Sequence, residues 1–544
     1  MPADLVVTGG RIWTQDPARP WAEALAVREG KIVAIGSGAD VEAFTGPRTQ
    51  VHDAAGAMLM PGLIDGHVHL GLGGSQAAFE LPLDATDDLD AILGKVAEWA
   101  ADLEPDAWVV GGIVGSTVLD GLTTAALARL DRAAGGRPVL LRDDTMHNRW
   151  VSSRALELMG VGPGTADPDG GRYVRDTGGD LTGVLHESAS GEAESAFTRS
   201  IPDVQARTDA SVAVAVDTLN AYGVTSAQEA ATMLGVARSL AALEASGGLN
   251  ARVVLSMPVR PFIEDGAVGE ELVAEVAELA GDLVRPDFVK IFLDGVPTTR
   301  TSALLTPYRC AHGTERGEMY WELDDLVAQL RRCAQLGLGA KVHATGDASA
   351  RRVLDAAERV REDSDLRLQL AHAEFIHADD VPRFAALDVV ADVSPYIWYP
   401  GVIQDSIAEH VPQEIVESSW PMRDLLDGGA IVAAGSDWPC AVPTPDPWTG
   451  LEAMVTRRNP DERFPGTLNP AQKLTVAEAI TAFTSHPAVA LGLGDTAGKL
   501  ATGYSADFIE LDRNLFEIDP TDIHATRVRR TYFAGRLVHE NPDV

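Results

Sequence analysis

The feature that most constrains this chain is a recurrence. Eight short apolar runs are spread along it, most of them separated by a stretch of helical character. The first is Leu63–Ile64, which leads into His67 and His69. From residue 216 onward come 223–228, 251–256, 288–293, 339–343, 366–372, 389–393 and 430–434. Between most of them lie segments such as 323–333, with apolar residues at helical spacing. Strands alternating with helices predict an α/β fold with a parallel sheet. Eight such units are the number that closes the sheet into a (β/α)8 barrel.

Two parts of the chain fall outside this rhythm. Residues 1–58 contain the β-rich runs 5–13, 24–27 and 31–35, separated by Gly, Pro and Asp, and the C-terminal runs 507–511, 528–533 and 536–539 look similar. They predict one small β-sandwich built from both termini. Between Leu70 and about Thr218 runs a gap too long for a βα connection. It has strands and helices of its own, so an inserted subdomain is expected. The expected boundaries are sandwich 1–58, barrel strand one 59–75, insertion 76–215, the rest of the barrel 216–493, and sandwich again 494–544.

Composition removes several function classes. The net charge of −36 is carried by dispersed acids, so nucleic acid and anionic membranes are not expected partners. No run of eighteen apolar residues exists, so no membrane span is expected. Cys310, Cys333 and Cys440 form no CxxC pair, which argues against a thiolate zinc site and a disulfide framework. The N-terminus Met-Pro-Ala-Asp lacks a basic and an apolar region, so a cytoplasmic protein acting on a small molecule is expected, with a homodimer left open.

His67 and His69 stand two residues apart at a strand end, so their side chains share a face. Two converging imidazoles suit a first-row metal, although a pair satisfied by ordinary hydrogen bonds reads the same. Four further residues stand at or near the ends of later runs: Lys290, His343, His372 and Asp437. Barrel active sites gather at that face. Lysine is scarce, with six in the chain, and Lys290 sits in the apolar run Val-Lys-Ile-Phe-Leu. Burying an unpaired ammonium there is costly. A salt bridge to Asp294 is one alternative. Lys341 is a rival, expected to lie deeper. Asp65 reads equally as support for the site or as packing, and His312 as a loop residue that reaches the site.

The order His-x-His, Lys, His, His, Asp on strands one, four, five, six and eight resembles the amidohydrolase superfamily with a binuclear metal centre. The phrases 60–69, 289–295, 342–347 and 497–509, with 146–156 in the insertion, resemble its amidohydrolase 3 branch, which includes YtcJ-like proteins and N-substituted formamide deformylases. The resemblance implies two divalent ions, zinc the expected one. His67, His69 and Asp437 would hold the first and His343 and His372 the second. Lys290, carboxylated by carbon dioxide, would bridge them. A bridging hydroxide is then the expected nucleophile and Asp437 the proton shuttle. His147 matches a family histidine thought to face the substrate. Asn148, Trp150, Arg300 and Trp438 are further substrate-binding candidates.

The implied function is metal-dependent hydrolysis of a non-peptide C–N bond in an amide, formamide or cyclic amide. Carbamate or ester hydrolysis stays open on the same centre. A deaminase is disfavoured, because such enzymes usually keep one metal and need no bridging lysine. A non-catalytic assembly protein is disfavoured because all six ligand positions are filled.

Overall fold

All eight apolar runs lie in one sheet. The computed structural model describes residues 1–261, 266–309 and 313–544. Its strands Leu63–Val68, Val224–Glu229, Arg252–Pro258, Val284–Phe292, Gly339–Ala344, Leu368–His372, Val389–Val393 and Val432–Ala434 lie side by side in chain order. They are barrel strands one to eight, and each pairs parallel with the next. Helices cover their outer faces, which is why the strands read as nearly continuous apolar runs rather than alternating ones.

The barrel closes at the C-terminal end of its strands. Asp437 N donates to the His67 carbonyl at 2.7 Å, and His69 N donates to that of Trp438 at 2.9 Å. Lower down, strand one turns to a different partner, and Ile64 N donates to the Phe483 carbonyl at 2.8 Å. Closure therefore falls where the sequence carries its histidines and Asp437.

Strand one feeds the helix Leu70–Phe79, which packs on Val204–Ala221, the helix leading into strand two. Gly74 permits this approach, because a Cβ there would sit 1.9 Å from the Ser211 carbonyl oxygen. Between these helices lies the insertion. Its six-stranded sheet runs in the order Gly171–Arg175, Leu181–Glu187, Asn148–Val151, Val139–Asp143, Val109–Val114, Leu81–Pro82. Two of its helices start on side-chain caps in which Asp88 accepts from Ala91 N and Thr123 from Ala126 N. It has its own core, with Ile92, Val96, Leu130, Leu141 and Trp150 buried together.

The termini form two sheets. One orders Lys31–Gly36, Ala24–Arg28, Leu5–Thr8 and Gln50–Asp53. The other orders Arg536–Glu540, Val528–Phe533, Phe508–Leu511, Met58–Pro61, Arg11–Trp13 and Trp21–Ala22. Met58–Pro61 pairs with Phe508–Leu511, so the sandwich sheet continues to within two residues of barrel strand one. Among the described residues no helix is long and apolar enough to cross a membrane.

Candidate metal centre

The mouth of the barrel gathers the polar residues that its strands carry inward. His67 and His69 end strand one, Lys290 lies near the end of strand four, His343 on strand five and His372 at the end of strand six. Asp437 follows strand eight. All six line one cavity. His67 Nε2 and His69 Nε2 lie 3.5 and 3.4 Å from Asp437 Oδ1. Asp437 Oδ2 turns the other way, 3.8 Å from His372 Nδ1. The His343 and His372 rings meet edge to face with centroids 4.5 Å apart. Lys290 Nζ reaches within 3.4 Å of His67 Nε2.

The backbone is strained where it aims these groups. His372, Ala373 and Asp437 have φ of +77°, +40° and +56°, and Met146, beside His147, has +60°. Left-handed conformations cost a residue with a Cβ about 1 kcal/mol or more and persist where the surroundings over-determine them, commonly at functional sites.

Each strand-one histidine has a carboxylate behind it. His67 Nδ1 is 2.8 Å from Asp392 Oδ2, and Lys341 donates to the same oxygen and to the Gly66 carbonyl at 3.0 Å. His69 Nδ1 lies 3.9 Å from Glu229, which also accepts from Leu70 N at 2.5 Å. Carboxylates in this position fix a ligand's tautomer and ring orientation. Burial, then the charge of Lys290, holds His67 well below the usual imidazole range. Burial does the same to His343 and His372, so all three rings stand neutral, the form a metal takes. Burial and then Lys341 lower the Lys290 ammonium to about 8.

The alternatives for the two lysines resolve geometrically. Asp294 does not pair with Lys290. It accepts from Ala303 N, Thr345 N, Gly346 N and Ser349 Oγ, binding the loop after strand four to the start of the helix after strand five. Lys341 is held by Asp392 beneath the histidines. Asp65 accepts from His67 N and Ser436 N at 3.1 and 2.9 Å and so ties strand one to the segment carrying Asp437. Burial raises its carboxyl to about 7.

From the insertion, His147 reaches the cavity wall with its ring centroid 5.2 Å from that of His343. Glu187 Oε2 lies 2.8 Å from its Nδ1. Burial opposes a charge on His147, but Glu187 outweighs it and raises the imidazole.

None of the other substrate-binding candidates lines the cavity. Asn148 is fully buried and donates to Asp143. Trp150 points to the opposite side, into the insertion's core. Trp438 is buried against Gly73, with its Nε1 donating to the Pro443 carbonyl. Arg300 closes the short helix Pro297–Thr299, whose Pro297 and Thr298 face the cavity. His312 lies outside the described residues.

Reading along the sequence passed over Asp392, Glu229, Glu187 and Glu374. The first two carried the signal that marked Lys290, a charged residue within an otherwise apolar or uncharged strand. Glu187 ends the strand Leu181–Glu187 and Glu374 lies in the loop after strand six; the first meets His147 and the second meets the cavity only in the assembled fold.

The donor set fits a metal. Asp437 Oδ1 is buried and has no hydrogen-bond partner among the described residues, yet it faces the Nε2 atoms of two imidazoles. Ligands about 2.1 Å from a tetrahedral ion stand about 3.4 Å apart, which matches the separations from Asp437 Oδ1. His67, His69 and Asp437 accordingly form a group able to hold an ion.

Comparison with known proteins agrees with this geometry. Residues 50–539 match the profile of the Amidohydrolase family. The chain is 28% identical over 541 residues to the protein YtcJ of Bacillus subtilis (strain 168), with 98% of each covered. It is 28% identical over 553 residues to the N-substituted formamide deformylase of Arthrobacter pascens, covering 99% of this chain and 98% of that one. A crystal structure of an uncharacterized metal-dependent hydrolase from Pyrococcus horikoshii OT3 aligns with a TM-score of 0.74 at 22% identity, over 95% of this chain and 99% of that one. That likeness establishes the shared fold.

Proposed function

This chain belongs to the amidohydrolase family, and on that premise we propose that it is a metal-dependent hydrolase cleaving a non-peptide C–N bond in an amide, formamide or cyclic amide. One observation carries the reading. The buried, unpartnered Asp437 Oδ1 faces His67 Nε2 and His69 Nε2 at 3.5 and 3.4 Å, with Lys290, His343 and His372 on the same cavity. The Arthrobacter relative, an N-substituted formamide deformylase, supports the choice of bond.

In this reading His67, His69 and Asp437 hold one divalent ion, zinc by preference, and His343 and His372 hold a second. Lys290 joins the two after its neutral amine adds to carbon dioxide. An N–C bond forms and one proton leaves the nitrogen, so the neutral amine becomes an anionic oxygen donor. When bound, the ions supply Lewis acidity, lowering the pKa of water and polarising a carbonyl. Asp437 accepts the proton released as the carbonyl is attacked and returns it to the leaving nitrogen. Asp392 and Glu229 keep the strand-one imidazoles oriented. His147, braced by Glu187, donates a hydrogen bond toward the substrate from the cavity wall.

The test is elemental analysis of protein purified without chelator, followed by activity against formamides, N-acyl amines, lactams, carbamates and esters. Two divalent ions per chain and turnover of a C–N substrate are expected. Full activity with one ion would overturn the binuclear centre, and turnover confined to esters would overturn the choice of bond.

A further inference from the structure

The far wall of the cavity carries polar groups that the catalytic reading leaves unused. Glu374 is 3% exposed and lines the cavity, and its Oε1 is buried without a hydrogen-bond partner. Among the described residues no cation pairs with it. Thr298 Oγ1 and Ser394 Oγ, on the same cavity, are buried and unpartnered too. Nearly all buried polar atoms in proteins are satisfied, so three atoms on one cavity without partners among the described residues mark a place where a ligand supplies them. The backbone is bent to put one of them there. Glu374 follows two residues in left-handed conformation, His372 at φ +77° and Ala373 at +40°. Neither is glycine, so the turn that delivers Glu374 is held against local preference. Around these groups the wall is apolar, formed by Val296, Ile397, Ile403, Ile407 and Trp420.

The carboxyl here has no cation among the described residues to hold it ionised, and burial and then Asp294 push Glu374 well above the usual carboxylate range. The wall's titratable group is an acid, and the described lining contains no arginine. The basic groups on the cavity, Lys290 and His147, stand on other elements. A substrate arm ending in a carboxylate would face Glu374 with nothing to neutralise it. An arm ending in N–H would give Glu374, Ser394 and Thr298 the donor they lack, with its stem against the isoleucines.

We propose that Glu374, with Ser394 and Thr298, forms a subsite for a second, hydrogen-bond-donating nitrogen on the substrate. The class of substrate is then an N-substituted amide with an apolar arm ending in an amine or amide N–H, in preference to N-acyl amino acids and other anionic amides. This rests on the proposed C–N hydrolysis, since the arm is read relative to the bond cleaved at the metal centre.

The experiment uses the metal-loaded full chain and a matched set of N-alkylformamides of several arm lengths, ending in an ammonium, a carboxamide, a methyl or a carboxylate group. At the best length kcat/KM should favour the ammonium- or carboxamide-ended arm over the methyl-ended one by about tenfold, with the carboxylate-ended arm poorest. In Glu374→Leu the preference over methyl should fall to about one and the discrimination against carboxylate should shrink. Glu374→Gln, which retains a carbonyl acceptor, should keep part of the first preference. A uniform loss across all four arms would assign Glu374 a structural role and overturn the subsite. A second measurement needs no turnover: calorimetric binding of the corresponding α,ω-diamine to wild type and Glu374→Leu. About tenfold weaker binding to the variant supports the subsite even if no formamide is cleaved, which would instead count against C–N hydrolysis. Equal diamine affinity in the two proteins overturns the subsite whatever the enzyme hydrolyses.

Discussion

The barrel mouth and the inserted subdomain both bury charge, and they treat it in opposite ways. In the insertion, Arg142 donates to both oxygens of Glu194 at 2.7 and 3.0 Å and also to Glu80. Arg149 donates to Glu194 at 2.6 Å and to the carbonyls of Met146 and Asn148 at 2.9 and 2.8 Å. Each ion of this network has its counter-ion, and the network pins the loop that carries His147. At the barrel mouth the balance is left open. Among the described residues Asp437 Oδ1 is buried without a partner, and Lys290 faces an imidazole rather than an acid. Paired buried charge holds structure together, while unpaired buried charge at comparable depth is held ready for something that binds.

The largest expected effect comes from the open side. Lys290→Ala removes the only group proposed to join the two ions, so metal content should fall and turnover should drop on the order of a thousandfold or more, an assay-floor result in most screens. Small carboxylic acids should partly restore both by standing in for the carbamate. A variant with two ions and near-normal rate would place Lys290 on the structural side of the comparison.

Asp437→Asn comes next. Asparagine keeps an oxygen for a ligand but cannot carry the proton. The fold, followed by circular dichroism, should survive while kcat falls by about a hundredfold to ten-thousandfold. A rate close to wild type would mean that another group moves the proton.

Glu194→Ala tests the paired side. It strands Arg142 and Arg149 around a lost carboxylate, and breaking a buried pair typically costs about 3–5 kcal/mol. The effect should appear as a fall in Tm or in the denaturation midpoint. The pH dependence has a definite sign. Burial pushes the Glu194 carboxyl up, but the two guanidiniums outweigh it and hold it at about 2. Its contribution is thus complete above the unfolded value of about 4.3 and is lost as pH falls from there toward 2. The variant should be less sensitive to acid in that window, and an unchanged acid limb would deny the network its stabilising role.

The smallest effect is expected where the two regions meet. His147→Ala should raise KM or lower kcat by about tenfold while both ions stay bound, because His147 touches the cavity and is not proposed as a ligand. Loss of metal in this variant would move His147 from the insertion's side of the comparison to the barrel's.

The six residues at the mouth were legible because each stands at a fixed place relative to a strand, and strand ends can be read from apolar runs. Lys290 stood out for the same reason, as a charge inside such a run. The substrate-facing candidates were not legible in this way. Asn148, Trp150, Arg300 and Trp438 are sequence neighbours of His147, of the strand-four loop and of Asp437. Adjacency in sequence does not say which way a side chain points. In Asn148–Val151 successive residues face opposite sides of the sheet, and Trp150 went to the core. Glu374 is the converse case: two residues in left-handed conformation redirect the chain, and no periodic pattern predicts where the next side chain falls.

By itself the amino-acid sequence determined the eight-stranded barrel, the sandwich from both termini, the existence of an insertion and the set of residues at the strand ends. All of these follow from local periodicity and from the rule that parallel strands present their C-terminal ends on one face. Tertiary structure alone decided which carboxylate backs which histidine, which of two buried lysines meets an acid, and which side chains of the insertion reach the cavity. Those outcomes depend on contacts between residues far apart in the chain, such as Asp392 with His67 and Glu187 with His147. Their energies come from burial and pairing, which exist only once the fold has closed.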